Sequence, residues 1–140
     1  MRLLDPMTVQ TDEASGNYIT VPPSASRDHG SALCRFEVSE AGDYEIWVHA
    51  FAASGESNSF YAAIDRGSLA LTDVNRLNQW HWLNIHHRDE STGAARSKQI
   101  YGLTSGTHTL QLRNRESGTK VDKVVVARTG LRFDPQSKSD

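Results

Sequence analysis

Apolar and polar residues alternate along this chain in short runs spaced about ten residues apart, with Gly, Ser, Asn or Asp between them. A period of two is the strand period, and many short strands divided by turn residues predict an all-β sandwich. No segment carries the helical period. Tyr18 to Val21 reads as a short strand closed by Pro22-Pro23, because proline cannot donate to a ladder. Ala32, Cys34, Phe36 and Val38 alternate with Leu33, Arg35 and Glu37, and Ala41-Gly42-Asp43 turns the chain. Tyr44, Ile46, Val48 and Ala50 continue the alternation, which predicts a hairpin with one face inward.

After the loop Ala53-Ser54-Gly55-Glu56-Ser57, Phe60, Ala62 and Ile64 mark a strand that ends at the turn signal Asp65-Arg66-Gly67. The pattern fades from Leu69 to Asn78, which reads as a loop holding one short strand. Trp80 to His87 is the next strand, with Trp82 or Leu83 facing the core alongside Ile85. Residues 88–97 suit an exposed loop, and Ile100 to Leu103 precedes a turn at Ser105-Gly106. Two final runs, Thr107 to Leu112 and Val121 to Val126, flank a polar loop carrying Arg115, Glu116 and Lys120. Such a loop is how a β-domain presents a small charged recognition surface at one end. About nine short strands make a jelly-roll or Greek-key β-sandwich of two antiparallel sheets the economical architecture.

The 140 residues fit one domain, 1–140, with a core from about residue 5 to 127 and a tail over 128–140. Fifteen Lys+Arg against 17 Asp+Glu leave a net charge of -2, so no long-range field favours nucleic acid or an anionic membrane, and neither is an expected partner. Cys34 is the one cysteine, which rules out an intrachain disulfide and reads as a buried, inert thiol. No apolar run approaches the roughly 20 residues that cross a bilayer, and the start lacks a signal-peptide layout. The sequence fits equally a cytoplasmic chain and a module excised from a longer secreted protein.

His81, His86 and His87 invite a metal reading, but His81 and His87 lie roughly 20 Å apart along a strand and His86 points the other way. Surface imidazoles are the better reading. No nucleophile elbow is present, and no carboxylate pair is singled out for glycosidase chemistry, so no catalytic residue is assigned. Among the aromatics, Phe36, Tyr44, Phe60 and Trp82 read as core, Trp80 and Tyr18 as rim positions able to stack on a sugar face, and Trp47 is open between the two sheet faces. Asn58 and Ser59 read as turn residues or polar contacts, and Arg115 and Glu116 as a mutual ion pair or ligand contacts. Asp122, among Val121, Val124, Val125 and Val126, needs a cation, a salt bridge or backbone donors.

Taken in order, Tyr18-Ile19-Thr20-Val21-Pro22, Ala41-Gly42-Asp43-Tyr44-Glu45-Ile46-Trp47-Val48, Asn58-Ser59-Phe60-Tyr61 with Ile64-Asp65, Trp80-His81-Trp82, Gly106-Thr107-His108-Thr109-Leu110 and Arg115-Glu116-Ser117-Gly118-Thr119-Lys120-Val121-Asp122 resemble the β-sandwich carbohydrate-binding modules of families 6 and 35. The resemblance implies a jelly roll that binds glycans without cleaving them, its ligand held by loops at one end. It places ligand contacts in the regions of His49, Asn58, Trp80, Arg115, Glu116 and Lys120, and Tyr18 joins them as a rim aromatic able to stack on a pyranose. Lys120 stands where such modules often have Asn, and His49 where they often have Arg. The resemblance also implies a structural calcium ion with Asp122 as a ligand, although the chain opens on Met1-Arg2-Leu3-Leu4 without the family's glutamates, leaving Asp12 or Glu13 as substitutes.

The expected partner is therefore a poly- or oligosaccharide, bound by a monomer or weak homodimer that forms part of a larger polysaccharide-degrading enzyme. Arg115 and Lys120 favour an acidic sugar, because guanidinium and carboxylate pair strongly and with defined geometry. The alternative is a structural or protein-interaction jelly roll with a decayed sugar site, whose sheet edge, exposed by a missing first strand, pairs with another chain.

Overall fold

The alternating runs become strands, and the strands form two antiparallel sheets with no helix among the described residues. The computed structural model describes residues 2–4, 8–12, 16–20, 30–55, 58–74, 76–88, 97–115 and 118–129, the side chains of 2–18 and 97 excepted. The strands in chain order are β1 (Arg2–Leu4), β2 (Thr8–Asp12), β3 (Gly16–Thr20), β4 (Ser31–Val38), β5 (Gly42–Phe51), β6 (Ser59–Ile64), β7 (Ala70–Asp73), β8 (His81–Asn84), β9 (His86–His87), β10 (Ser97–Lys98), β11 (Tyr101–Leu103), β12 (Gly106–Asn114) and β13 (Lys120–Arg128). One sheet runs β1-β4-β12-β6-β7. The other runs β11-β5-β13-β3-β2, with β8 on the same edge of β5 as β11, and β9 pairs with β10. The architecture is a jelly-roll sandwich.

The expected hairpin of β4 with β5 does not form. β12 takes one edge of β4 along its whole length, from Val38 to Ser31, and β1 takes part of the other, from Ser31 to Leu33. The chain instead crosses at Ser39 to Ala41 into the second sheet, where β13 and the β8/β11 pair flank β5. The inward face was still read correctly, because Ile46, Val48 and Ala50 are all 0% exposed. A short strand, β1, lies at the β4 edge of its sheet, with Leu3 opposite Ala32.

The core lies between the sheets. Ala32, Ala62, Ile64, Leu110 and Leu112 from one sheet meet Ile19, Ile46, Val48, Leu83 and Val121 from the other. Burying each large aliphatic side chain contributes about 1.5–3 kcal/mol, which makes this layer the main source of stability. Phe36 and Tyr44 pack against its margin, as does the half-buried Cys34, whose thiol pKa is pushed up by burial. At the foot of β6, Asp65 and Arg66 both adopt left-handed backbone (φ 51° and 62°), and Gly67 N–H closes the turn on Ile64 O at 2.8 Å. The Asp-Arg-Gly turn signal is borne out.

Candidate functional site

Several of the expected site residues gather at one end of the sandwich, because strand polarity brings them there. β5 ends at Phe51 opposite Lys120, where β13 begins; β12 ends at Asn114 opposite Phe60, where β6 begins. Asn58, Arg115 and Lys120 therefore share one rim. Arg115, just after β12, and Thr119, just before β13, are both fastened to Ser59. Arg115 Nη1 donates to Ser59 Oγ at 2.7 Å, and Thr119 Oγ1 donates to Ser59 O at 3.2 Å. Thr20 Oγ1 ties β3 to the same loop through Thr119 O at 2.8 Å. Ser59, read from sequence as a turn residue, is fully buried and serves as the anchor of this loop.

Trp80 reaches the same rim from another direction. Asn78, in left-handed backbone (φ 61°), donates its N–H to Ala52 O at 2.7 Å, and Leu77 forms a bridge with Ala52. This clamp delivers Trp80 over the outward face of β5. Its indole stacks on the His49 imidazole with centroids 5.3 Å apart and planes 17° apart, and meets Phe51 at 5.7 Å. Lys120 Nζ stands 5.0 Å from the centroid of Phe51. A cation, an indole, a phenyl ring and an imidazole thus form one surface above the ends of β5 and β13.

His49 lies beneath that surface. Its ring contacts Trp80 and, at 5.1 Å, Trp82, and its Nδ1 lies 2.7 Å from Asp122 Oδ1. The side chain of His49 is 16% exposed and that of Asp122 is 1% exposed. A bulge makes the contact. Val121 pairs with Ala50 and Lys123 with His49, so Asp122 is the extra residue, and the local twist turns its carboxylate toward the imidazole.

No protein-family model matches this chain, and neither does any curated protein. Solved structures do match. Over 93% of this chain, a family 35 module-bearing β-(1,4)-mannanase of Podospora anserina superposes with a TM-score of 0.69 at 13% identity. This chain spans 26% of that enzyme. The C-terminal family 6 module of LamC, a marine laminarinase of Zobellia galactanivorans, matches 91% of this chain and 92% of its own length with a TM-score of 0.65 at 11% identity. A family 35 module of Clostridium thermocellum matches 90% of each chain with a TM-score of 0.63 at 18% identity. The fold is that of the family 6 and family 35 carbohydrate-binding modules.

Within this module fold, the expected calcium ligand Asp122 was tested by its donor set. Calcium takes six to eight oxygens. Here one carboxylate oxygen faces a histidine and Oδ2 has no hydrogen-bond partner among the described residues. The side chain of Asp12, and Glu13 altogether, lie outside the described residues, which contain no group of three His, Cys, Asp or Glu able to hold a metal ion. The described residues therefore do not make a calcium site. Glu116 also lies outside them, and Tyr18 is placed on β3 by its backbone alone, opposite Gln10.

Two expectations about this chain are corrected. His81 and His86 are not surface imidazoles but buried, at 5% and 8% exposure. His81 Nδ1 faces Gln79 O at 3.1 Å, and burial lowers its pKa. His86 accepts the N–H of Asp73 on Nε2 at 2.9 Å and donates from Nδ1 to Asn84 O at 3.0 Å, which fixes a neutral tautomer and joins β9 to β7. Trp82 is not core. Leu83 and Ile85 take the inward positions, while Trp82 pairs with His49 on the outer face beside Phe51 and Trp47. The alternation that buries Ile46, Val48 and Ala50 already places Trp47, His49 and Phe51 together on the opposite face, and this was the available signal for the aromatic surface.

Proposed function

We propose that this chain is a non-catalytic carbohydrate-binding module that takes a poly- or oligosaccharide at the loop end of the sandwich. The observation that carries this reading is the Trp80 indole, held in place by His49 and Phe51 beside the Lys120 ammonium. An aromatic ring fixed at its edge and partly exposed is a stacking platform for the apolar face of a pyranose. In this reading Lys120, Arg115 and Asn58, at the ends of β13, β12 and β6, serve as donors for hydroxyls or a carboxylate, and Glu116 and Tyr18 complete the set expected from sequence. His49 takes a supporting role beneath Trp80, with its ring engaged by Asp122 and two indoles.

Two cations at the rim, Arg115 and Lys120, favour an acidic sugar over a neutral one. The module acts as a monomer or weak homodimer within a larger polysaccharide-degrading enzyme, where its task is to hold the substrate near a separate catalytic domain. Affinity electrophoresis followed by calorimetry on wild type, Trp80→Ala and Lys120→Ala tests this reading. Retardation by a polysaccharide, abolished by Trp80→Ala and weakened by Lys120→Ala, is the expected result. A folded protein that ignores neutral and acidic polysaccharides alike, and self-associates instead, would replace it with the protein-interaction reading.

A further inference from the structure

Strand β7 is the last of its sheet, and the alternation of an antiparallel ladder turns every second backbone group away from β6. Val74 N–H bonds Asn58 O, just before β6. Leu71 and Asp73 turn their N–H groups the other way, toward His87 and His86 of β9. The acceptors there are not carbonyls. Leu71 N–H donates to His87 Nδ1 at 3.1 Å and Asp73 N–H to His86 Nε2 at 2.9 Å, so two neighbouring imidazoles close an edge that would otherwise present bare donors.

Only unprotonated rings can do this, and the two use opposite tautomers. His86 donates from Nδ1 to Asn84 O at 3.0 Å, which leaves Nε2 its lone pair. His87 accepts on Nδ1, which puts its proton on Nε2. An imidazolium donates from both nitrogens, so a proton on either ring turns its bond to β7 into two donors face to face. The charged groups around His86 offer no replacement. Asp73 Oδ2 is 3.9 Å from His86 Nε2, but Arg88 already holds that carboxylate with Nε at 2.7 Å and Nη2 at 3.1 Å. Lys98 stands opposite His86 on β10 and is bound to Glu45, and Arg76 and His81 line the same hollow as His86. His87 is exposed, and across the pairing of β9 with β10 it faces the backbone of Ser97. The other contacts of β9 and Arg88 with β7, from Arg88 N–H to Leu71 O at 3.1 Å and from the Thr72 hydroxyl to His86 O at 3.1 Å, carry no titrating group.

We propose that β9 is a proton-released latch on β7: with His86 and His87 neutral it is fastened along the sheet edge, and protonation of the two imidazoles frees the N–H groups of Leu71 and Asp73 while both sheets stay folded. An ordinary imidazole titrates at about pH 6.5, so the latch works across mildly acidic pH. The change is local. β9 pairs with β10, whose Lys98 is bound to Glu45 of β5, so release slackens the join between the β7 edge of one sheet and β5 of the other. The inner strands keep their bonds, since β12 is paired by β4 and β6, and β5 by β13 and β8. The latch is independent of the sugar-binding reading.

The test is amide hydrogen exchange on the ¹⁵N-labelled full chain at about pH 7.5 and about pH 5, on either side of the imidazole range, with ring ¹⁵N shifts recording the protonation of each histidine. Protection, taken relative to the unstructured exchange rate at each pH, should fall about tenfold at Leu71 and Asp73 as the rings protonate, as expected for one hydrogen bond lost. Val48 and Leu112, on inner strands, should keep theirs. His87→Gln, at an exposed position, supplies an acceptor that does not titrate, and should remove the acid response at Leu71 while that at Asp73 persists. His86→Gln should do the converse, and if that buried change prevents folding, His87→Gln decides the matter alone. Rings that stay neutral at about pH 5, or protonated rings with protection intact at Leu71 and Asp73, overturn the proposal. An equal loss at Val48 and Leu112, which means global unfolding, overturns it too, as does an unchanged Leu71 response in His87→Gln.

Discussion

Nδ1 of His49 lies 2.7 Å from Oδ1 of Asp122, across the bulge that β13 makes against β5, and the carboxylate is 1% exposed. The pair sits directly below Trp80, so one polar contact links the stability of the sheet to the orientation of the proposed sugar platform. His49→Ala strips the buried carboxylate of its partner. Losing a hydrogen bond to a buried carboxylate costs about 1.5–3 kcal/mol. Urea denaturation should record a loss of that order for His49→Ala and a smaller one for His49→Gln, which keeps a donor. Both variants should bind polysaccharide more weakly, because the ring beneath Trp80 is gone. Unchanged binding in a folded His49→Gln protein would mean that Trp80 needs no support from below.

A second histidine sets the pH dependence. His108, buried at the start of β12, faces Asp65 Oδ2 with Nδ1 at 2.5 Å and Thr104 O with Nε2 at 2.7 Å. With acceptors on both nitrogens the imidazolium is favoured: the hydrogen bond to Asp65 first, then that to the Thr104 carbonyl, raises the His108 pKa. The same bond to His108 is the main reason the Asp65 pKa is lowered. A raised histidine pKa contributes stability in full below the unfolded value, near 6.5, and the contribution is lost as pH rises through the folded value. A lowered aspartate pKa contributes above about 4, and its contribution is lost as pH falls through the folded value. The pair is therefore most stabilising between about pH 4 and 6.5. Melting temperatures across pH should decline above that window in wild type and decline less in His108→Asn. Since Asp65 is 46% exposed, added salt should flatten the wild-type profile. Superimposable profiles for the two proteins would remove His108 from the account.

Much of this fold was legible in the chain because alternation reports which side chains face inward. Ile46, Val48 and Ala50, or Leu110 and Leu112, declare a buried face without reference to any neighbour. Strand partners are a different matter. β4 and β5 are consecutive and alternate in step, yet they sit in opposite sheets, where β12 pairs with β4 along its whole length and β13 with β5. Such pairing is decided by residues some seventy positions away, beyond the reach of a local pattern. The site was legible in part. Trp80, Arg115 and Lys120 were named from loop position and chemistry, whereas Trp82 was assigned to the core because a large indole in a strand usually lies there. Burial of His81 and His86, each satisfied by backbone groups, was invisible without the tertiary partners that Gln79, Asp73 and Asn84 supply.

The turn after β6 holds Arg66 at φ 62°, a region that is unfavourable for a residue with a side chain. Asp65, at φ 51°, is retained there by its bonds to His108 and to the N–H of Thr109. Arg66 is exposed. Arg66→Gly relieves about 1 kcal/mol or more of left-handed strain, while the extra freedom of glycine in the unfolded chain returns part of it. A net gain of about 0.5 kcal/mol in urea denaturation is expected, with glycan binding untouched. A loss of stability would show that the Arg66 side chain makes a contribution larger than the strain.

Ser59 and Arg115 offer the sharpest separation of structure from binding at the loop end. The Ser59 hydroxyl is fully buried and accepts the Arg115 guanidinium at 2.7 Å, while its carbonyl accepts Thr119. Ser59→Ala removes the acceptor but keeps the backbone bond, and should cost about 1–2 kcal/mol. Arg115→Ala removes the other partner, and the double variant should fall short of additivity by about 1 kcal/mol if the two groups act through each other. Lys120 differs, because its ammonium lies over the Phe51 ring, a contact worth about 0.5–1 kcal/mol at an exposed site. Lys120→Ala should therefore weaken sugar binding with little effect on the denaturation midpoint, whereas Ser59→Ala should weaken both, through a loop that no longer holds Arg115 in place. Full additivity of Ser59→Ala and Arg115→Ala would show that the loop is ordered by its other attachments, at Thr20 and Thr119.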